Sequence, residues 1–433
     1  MSEEDLKKLS CHFTWDLQKE DADLNFLEVK FCERLTIKCE YGENLKHRDL
    51  NFFAFIKHLQ GFNDKALKNL ELAKEEHPGN EQHLIVTYGN LAWVHSLMGN
   101  VLEAKTCTEK VNQILKAFPA PSPTELHREV QSEKAWSLLK FSRKSYIRAK
   151  ETFHEALQKE PDDKEWNTGY AFSLFCLEGL EIGQYKRLRF EESAAVVQLK
   201  KALILDPDDA MIHVYLGLKC YKNQRNAEAW EYMTKALTMA PDNLSVVLRV
   251  AKFMKKEQSY DRALEVLLRM LEKAPESSRL HHEIANNYRW KAMQLEDIHN
   301  PVLLRLCIQH LEKGASLNPG FIYPQLELAL RYADIKQYAK AEQKFRELFA
   351  LDLKPNDLQA WHRKYGDFQL YKLGSEAAAV EHYKQGMMLG RVSTEWINCR
   401  NRLKKVLWHD RRDAYQIRMY LDSFSRENNG DTD

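Results

Sequence analysis

ALILDPDDA at residues 202–210 is followed by ALTMAPDNL at 236–244 and by MLEKAPESS at 270–278. Each segment begins 34 residues after the previous one, and each has at its sixth position a proline that is followed by an acidic residue. Proline stops a helix because it lacks an N–H and its ring clashes with the preceding turn. The spacing therefore predicts that a helix ends at the same point of every 34-residue unit.

A 34-residue period is the length of the tetratricopeptide repeat, a helix–turn–helix unit that stacks on its neighbours. The same order of large and small residues recurs along most of the chain, in about nine copies of the repeat, which we call frames. The clearest frame begins at Ala210 and has Gly217 and Ala229 at positions where the two helices approach closely. We therefore predict an all-α tetratricopeptide-repeat superhelix, an architecture whose extended concave surface usually holds a partner.

The composition excludes several classes of protein. The chain has 433 residues, and its 64 Lys and Arg residues nearly balance 63 Asp and Glu residues. A net charge of +1 gives no general affinity for nucleic acid, so a bound anion needs a local group of cations. The eight cysteines form no C-x-x-C pair, the N-terminus has no apolar signal, and no apolar stretch approaches a membrane span. These features predict a soluble, cytoplasmic protein without a membrane partner.

The sequence contains no familiar catalytic motif. It has no Gly-rich phosphate loop, no serine elbow, no kinase motif and no calcium loop. His281, His282 and Glu283 do not form a zinc motif, because adjacent side chains on a helix point about 100° apart. We therefore predict a binding protein that has no enzymatic activity, metal or cofactor.

Irregularities in the repeats divide the chain. Two repeats carry about ten extra residues, near 178–192 and near 294–304, which lengthen a helix or add a loop. The run FPAPSP at 118–123 cannot be helical and marks a joint. We predict an N-terminal helical subdomain with the first repeats, a middle repeat subdomain, a C-terminal repeat subdomain and a disordered tail, at 1–118, 124–242, 243–425 and 426–433.

One core position of the repeat holds unexpected residues. Position 11 faces the helix–helix core, yet the first three frames have Lys57, His95 and Lys140 there. One interpretation is that these frames are displaced or that the long side chains reach the surface. The other is a polar cavity that needs cations, because a lysine in an apolar environment is costly. Trp136 lies one turn before Lys140, and a cation beside an aromatic ring suits a nucleotide.

A second basic group follows in later frames. The spacing of three and four residues places Arg249, Lys252 and Lys256 on one stripe of the first helix of a repeat. The first helix of the next repeat contains His282 and Arg289. An ordinary solvated face has the same pattern, whereas a basic stripe on a concave wall would concentrate an anion.

Five motifs resemble those of a single family. They are CHFTWDL at 11–17, AFIKHLQG at 54–61, TYGNLAW at 87–93, LHH at 280–282 and YGDFQ at 365–369. The motifs occur in the family's order and cover nearly the whole chain. The sequence thus resembles the interferon-induced proteins with tetratricopeptide repeats, the IFIT family.

The resemblance implies a cytosolic antiviral effector that binds the 5′ end of viral single-stranded RNA, as a triphosphate or a cap, in a basic internal channel. It also implies partners among fellow family members or host proteins, in homo- or hetero-oligomers. The implied 5′-end residues are Trp136, Lys140, Tyr146, Lys30, Arg34 and Glu165. His282 matches a channel histidine, and we place the basic stripe and Arg289 in the same channel.

The chain also departs from the family pattern. Cys176 stands where RNA-binding members have an arginine that grips the phosphates, and Glu283 stands where they have glutamine. One lost arginine–phosphate contact costs about 1.5–3 kcal/mol. Lys30, Arg34 or Lys186 are candidates to replace it.

Two hypotheses therefore stand. The first is an RNA-binding effector of innate immunity, which Trp136 and Lys140 favour. The second is a protein-interaction scaffold of the same family without tight 5′-end binding, which Cys176 and Glu283 favour.

Overall fold

The computed structural model describes residues 3–36, 46–76, 79–122, 125–180, 189–297, 300–351, 353–390, 393–409 and 414–426. These residues form helices and no β-strand. The α-helices are α1 Glu3–Lys7, α2 Leu24–Thr36, α3 Lys46–Leu59, α4 Asn63–Glu75, α5 Leu84–Leu97, α6 Val101–Ala117, α7 Arg128–Phe141, α8 Tyr146–Lys159, α9 Lys164–Leu180, α10 Ala194–Leu205, α11 Ala210–Lys222, α12 Asn226–Met239, α13 Leu244–Lys256, α14 Tyr260–Lys273, α15 Ser278–Gln294, α16 Pro301–Leu317, α17 Ile322–Asp334, α18 Tyr338–Phe349, α19 Pro355–Tyr371, α20 Glu376–Met388, α21 Thr394–His409 and α22 Ala414–Arg426. No helix within these ranges is long and apolar enough to cross a membrane.

The prolines of the repeat segments lie between helices, as predicted. Two residues after each proline, a polar side chain caps the next helix. Asp209 accepts hydrogen bonds from the backbone N–H groups of Met211 and Ile212 at the start of α11. Asn243 caps α13 and Ser277 caps α15 in the same way. Each repeat segment thus contains the end of one helix and the capping residue that starts the next.

The predicted frames are helix pairs. Helices α3 to α20 form nine consecutive pairs, from α3/α4 to α19/α20, and the sequence-based frames missed the further pair α21/α22. The small residues lie where the paired helices approach. A Cβ added to Gly217 would lie 3.0 Å from Met233, and one added to Gly366 would lie 2.6 Å from the ring of Tyr383. The all-α repeat fold is therefore confirmed.

The chain divides into two compact units, Met1–Pro275 and Glu276–Asp433. Unit 1 contains α1 to α14 and unit 2 contains α15 to α22. The three-subdomain division at 118 and 242 remains a prediction. Helix α6 ends at Ala117 and residues 118–122 are not helical, as expected for the proline-rich joint. Residues 427–433 of the predicted tail lie outside the described residues.

In unit 1 the N-terminal segment positions α2 against the first repeats. His12 is fully buried, and its ring nitrogens contact Asn90 of α5 and Ser137 of α7, each at 3.0 Å. Phe31 of α2 packs on Phe52 of α3, with ring centroids 4.9 Å apart. These contacts hold α2, which carries Lys30 and Arg34, beside α3.

Candidate functional site

Helix α3 carries charged residues into the interior of unit 1. Arg48, Asp49 and Asn51 are all buried, although their neighbours Phe52 and Phe53 belong to the apolar core. A buried charge is costly unless it is paired and hydrogen-bonded. The partners of Arg48 and Asp49 come from other helices, and they define the site.

Asp49 joins a cation of α2 to a cation of α7. One carboxylate oxygen lies 2.8 Å from Nζ of Lys140, and the other lies 2.8 Å from Nε of Arg34. The Asp49 side chain is 1% exposed, whereas those of Lys140 and Arg34 are 21% and 26% exposed. Burial alone would raise the pKa of Asp49, but Lys140, Arg34 and Lys30 lower it below its usual value. Helices α2 and α7 thus place three cations around one ionised carboxylate of α3.

Trp136 lies beside this cluster on α7. The Nζ atom of Lys140 is 5.9 Å from the centre of the Trp136 ring, a distance at which an ammonium group is attracted to an aromatic face. The indole N–H donates a hydrogen bond to Glu165 at 2.7 Å. The ring also packs edge to face on Phe153 and Phe172, at 5.3 and 6.2 Å. Because Trp136 remains half-buried, it is not sealed inside the repeat core.

Arg48 pairs with the carboxylates around Trp136. Its guanidinium contacts Glu129 at 2.7 Å and Glu165 at 2.5 Å. Glu133, on the same helix as Glu129, accepts a hydrogen bond from Asn51 at 3.0 Å. Burial raises the pKa of Glu133 to about 8, although Arg48, Asn51 and Lys140 oppose the shift. The interior of unit 1 therefore holds a network of closely paired acids and cations.

Cys176 lies in an adjoining polar group. Its thiol and the hydroxyl of Tyr146 interact with each other. Burial raises the pKa of the Cys176 thiol, while the nearby Arg249 and Lys30 act in the opposite direction. Burial also raises the pKa of Tyr146 to about 12. Arg249, from α13, therefore lies close to Cys176.

Aromatic rings from α9 and α11 line the same region. The Tyr215 ring lies 4.3 Å from Phe172 and 4.5 Å from Phe175. The guanidinium of Arg249 is 5.7 Å from the Tyr215 ring and interacts electrostatically with its hydroxyl group. Such rings provide stacking surfaces next to cations.

The other predicted channel residues are not part of the groups around Asp49, Trp136 and Cys176. Lys252 and Lys256 are exposed on α13, and Lys256 lies 5.9 Å from the ring of Tyr221 on α11. In unit 2, His282 packs edge to face on Phe321 at 5.5 Å. The role of these side chains in an RNA channel stays a prediction.

Arg289, also in unit 2, is close to an acid. Its guanidinium lies 3.5 Å from Glu327, which also pairs with Lys364. Burial lowers the pKa of Arg289, and Glu327 opposes that shift. Lys186 lies outside the described residues.

Both lysines at repeat position 11 pair with an acidic residue. Lys57 is 5% exposed and pairs with Glu28, and Lys140 pairs with Asp49. The interpretation of a surface-reaching side chain is therefore wrong for Lys57, while for Lys140, which is 21% exposed, both interpretations stay open. His95 is half-buried and contacts Asn100 at 3.3 Å.

Sequence reasoning missed Arg48, Asp49 and Tyr215. Arg48 and Asp49 precede the apolar run LNFFAFI in one helix, and this placement of charge was the available signal. Their partners could not be identified, because Lys140 is 91 residues from Asp49 and Glu165 is 117 residues from Arg48.

Fold and site together define a helical-repeat protein whose first unit holds cations and aromatic rings in its interior. The family described as Tetratricopeptide repeat matches residues 221–285. The human protein named Antiviral innate immune response effector IFIT1 is 31% identical over 423 residues, which are 93% of this chain and 86% of that protein.

Two solved structures of human IFIT1 dimers, one with PPP-AAAA and one with m7Gppp-AAAA, superpose with TM-scores of 0.69 and 0.71. They are 30% and 31% identical to this chain, and each match covers 94% of this chain and 90% of theirs. The chain belongs to the family of interferon-induced proteins with tetratricopeptide repeats.

Proposed function

We propose that the protein is a cytoplasmic antiviral effector that binds the 5′ end of single-stranded RNA in the interior of unit 1, without catalysing a reaction. Lys140, Arg34 and Lys30 bind the 5′ phosphates, and Trp136 stacks on a cap or a first base. Tyr146 and Glu165 line the same space. The protein acts by holding the RNA end.

One observation carries this proposal. Lys140 and Arg34 belong to different helices, yet both reach Asp49, and Lys140 lies 5.9 Å from the Trp136 ring. A lysine has three N–H donors and an arginine has five, so each cation keeps donors for a phosphate oxygen. Charged hydrogen bonds and ring stacking are the two interactions that hold single-stranded nucleic acid without base pairing.

The comparisons support the kind of ligand. Human IFIT1 is named an antiviral effector, and its solved structures contain PPP-AAAA and m7Gppp-AAAA. Those structures are dimers, so a second copy or another family member is the protein partner that we propose for this chain. The protein-interaction scaffold remains the alternative outcome of the test.

The test compares three versions of one short RNA, which carry a 5′-triphosphate, a cap or a 5′-hydroxyl group. We expect the protein to bind at least one of the first two more tightly than the 5′-hydroxyl RNA in a gel-shift or fluorescence-anisotropy titration. Equal affinity for all three would overturn 5′-end recognition and favour the scaffold.

Lys140→Gln tests where the RNA end lies. A charge reversal at this position would place a second carboxylate beside Asp49, so the neutral substitution is the cleaner variant. Loss of a charged hydrogen bond costs about 1.5–3 kcal/mol, which is roughly a tenfold or greater loss of affinity. Lys116→Gln, at an exposed position of α6, is the matched control and should bind like the wild type. Equal affinities for the two variants would place the RNA elsewhere.

A further inference from the structure

Asp49 lies at the centre of the proposed phosphate site, although a carboxylate there opposes the binding of an anion. It contacts both Lys140 and Arg34 at 2.8 Å, and it also interacts electrostatically with Lys30. Its side chain is 1% exposed, so water does not screen its charge. One of the three positive charges of the cluster is therefore neutralised before any RNA binds.

Asp49 does not fill the site. Lys140 and Arg34 remain 21% and 26% exposed, and each has N–H groups beyond the one that faces Asp49. A phosphate oxygen can therefore bind either cation from its exposed side. At Lys140 it would then lie roughly 5 Å from a carboxylate oxygen, since two acceptors that share one ammonium nitrogen are separated by about that distance.

The neighbouring charges do not cancel this repulsion. Arg48, on the same helix, is already paired with Glu129 and Glu165. The charge of Asp49 therefore acts directly on whatever anion Lys140 and Arg34 bind.

This repulsion depends on the charge of the RNA end. A free 5′-triphosphate has a terminal phosphate that is almost fully ionised at neutral pH, because its second pKa is about 6. In a cap, both ends of the triphosphate are esterified, and a methylated guanine adds a positive charge. A carboxylate at a fixed distance therefore repels the triphosphate more strongly than the cap.

We propose that Asp49 is a specificity-determining residue that weakens binding of a free 5′-triphosphate relative to a capped 5′ end. This inference rests on the proposed function. It assigns to this chain a preference that arises from an acid within its own cation cluster.

The test is the substitution Asp49→Asn, which keeps the shape of the side chain and removes its charge. Affinities for triphosphate, capped and 5′-hydroxyl versions of one RNA are measured by fluorescence anisotropy at fixed salt. We expect the substitution to tighten triphosphate binding tenfold or more, capped binding by a smaller factor, and 5′-hydroxyl binding by less than about twofold. Asp64→Asn, at an exposed position of α4, is the matched control and should leave all three affinities unchanged.

A second variant, Asp49→Ser, also removes the charge and should likewise tighten triphosphate binding. Thermal melting of both variants shows whether either has a folding defect. If Asp49 only positions the cations, both variants will bind all RNAs less tightly, and the inference is overturned. A gain that is equal for all three RNAs would also overturn it. If the wild type prefers a 5′ end and Asp49→Asn shows no gain, only the inference fails. If no protein distinguishes the three RNAs, the proposed function fails as well.

Discussion

At the scale of single residues, the interior of unit 1 couples protonation to stability through Glu133. This carboxyl is buried on α7 between Arg48, Asn51 and Lys140, and its pKa is raised from 4.5 to about 8. Because burial outweighs the favourable partners, the folded protein holds this proton more tightly than the unfolded chain does. The contribution of Glu133 to stability is therefore full below pH 4.5 and is lost as the pH rises toward 8.

Glu133→Gln should remove this pH dependence. Between pH 6 and 8 we expect the wild type to lose up to about 1.4 kcal/mol of unfolding free energy per pH unit relative to the variant. Denaturant unfolding at pH 6, 7 and 8 measures the difference, and Glu103→Gln, at an exposed position of α6, is the control. Parallel stability curves for wild type and Glu133→Gln would show that Glu133 is ionised in the folded protein throughout this range.

At the scale of secondary-structure elements, the turns inside the pairs α5/α6, α11/α12 and α13/α14 share one backbone conformation. The residue that follows the C-cap of the first helix has a positive φ, which is 81° at Gly99, 64° at Gln224 and 57° at Gln258. In the α13/α14 turn, the N–H of Ser259 bonds to the carbonyl of Met254, the hydrogen bond that closes a Schellman motif. Left-handed backbone costs an L-residue roughly 1–2 kcal/mol, whereas glycine adopts it freely.

Gln258→Gly should therefore stabilise the protein, and Gly99→Ala should destabilise it. We expect changes of about 0.5–1 kcal/mol in each direction, since the entropy that glycine gains in the unfolded chain offsets part of the backbone strain. Thermal and denaturant melts of both variants give the two changes. A loss of stability in Gln258→Gly would mean that the glutamine side chain has contacts worth more than the strain.

The helices also show which parts of the fold could be predicted from the sequence and which could not. Helix ends near Pro207, Pro241 and Pro275 were predictable because proline, the capping residue and the small core residues act within one repeat. The pair α21/α22 was missed because no proline or small-residue pattern marks it in the frames. Lys140 was recognised as anomalous, but its partner Asp49 belongs to another repeat and only the three-dimensional packing brings them together.

At the scale of the whole molecule, positive and negative charges nearly cancel in total, yet cations are concentrated at particular places within each unit. The chain carries a net charge of +1, yet Lys30, Arg34 and Lys140 lie around one carboxylate in unit 1. In unit 2, the interior cations Lys364 and Arg363 pair with Glu327 and Glu395. Composition could not predict where these cations lie or with which acids they pair, because it gives only the number of charges.

The proposed RNA site predicts a salt dependence of binding. Each phosphate neutralised on a single strand contributes about −0.7 to the slope of log K against log salt concentration. With Lys30, Arg34 and Lys140 as the phosphate ligands, we expect a slope of about −1.5 to −2 for a short triphosphate RNA. Lys140→Gln should reduce the magnitude by about 0.7, while Lys116→Gln should leave it unchanged. Affinities measured from about 0.05 to 0.3 M KCl give the slopes. If Lys140→Gln weakens binding but keeps the wild-type slope, Lys140 acts on the RNA through packing, and the phosphates are neutralised by other cations.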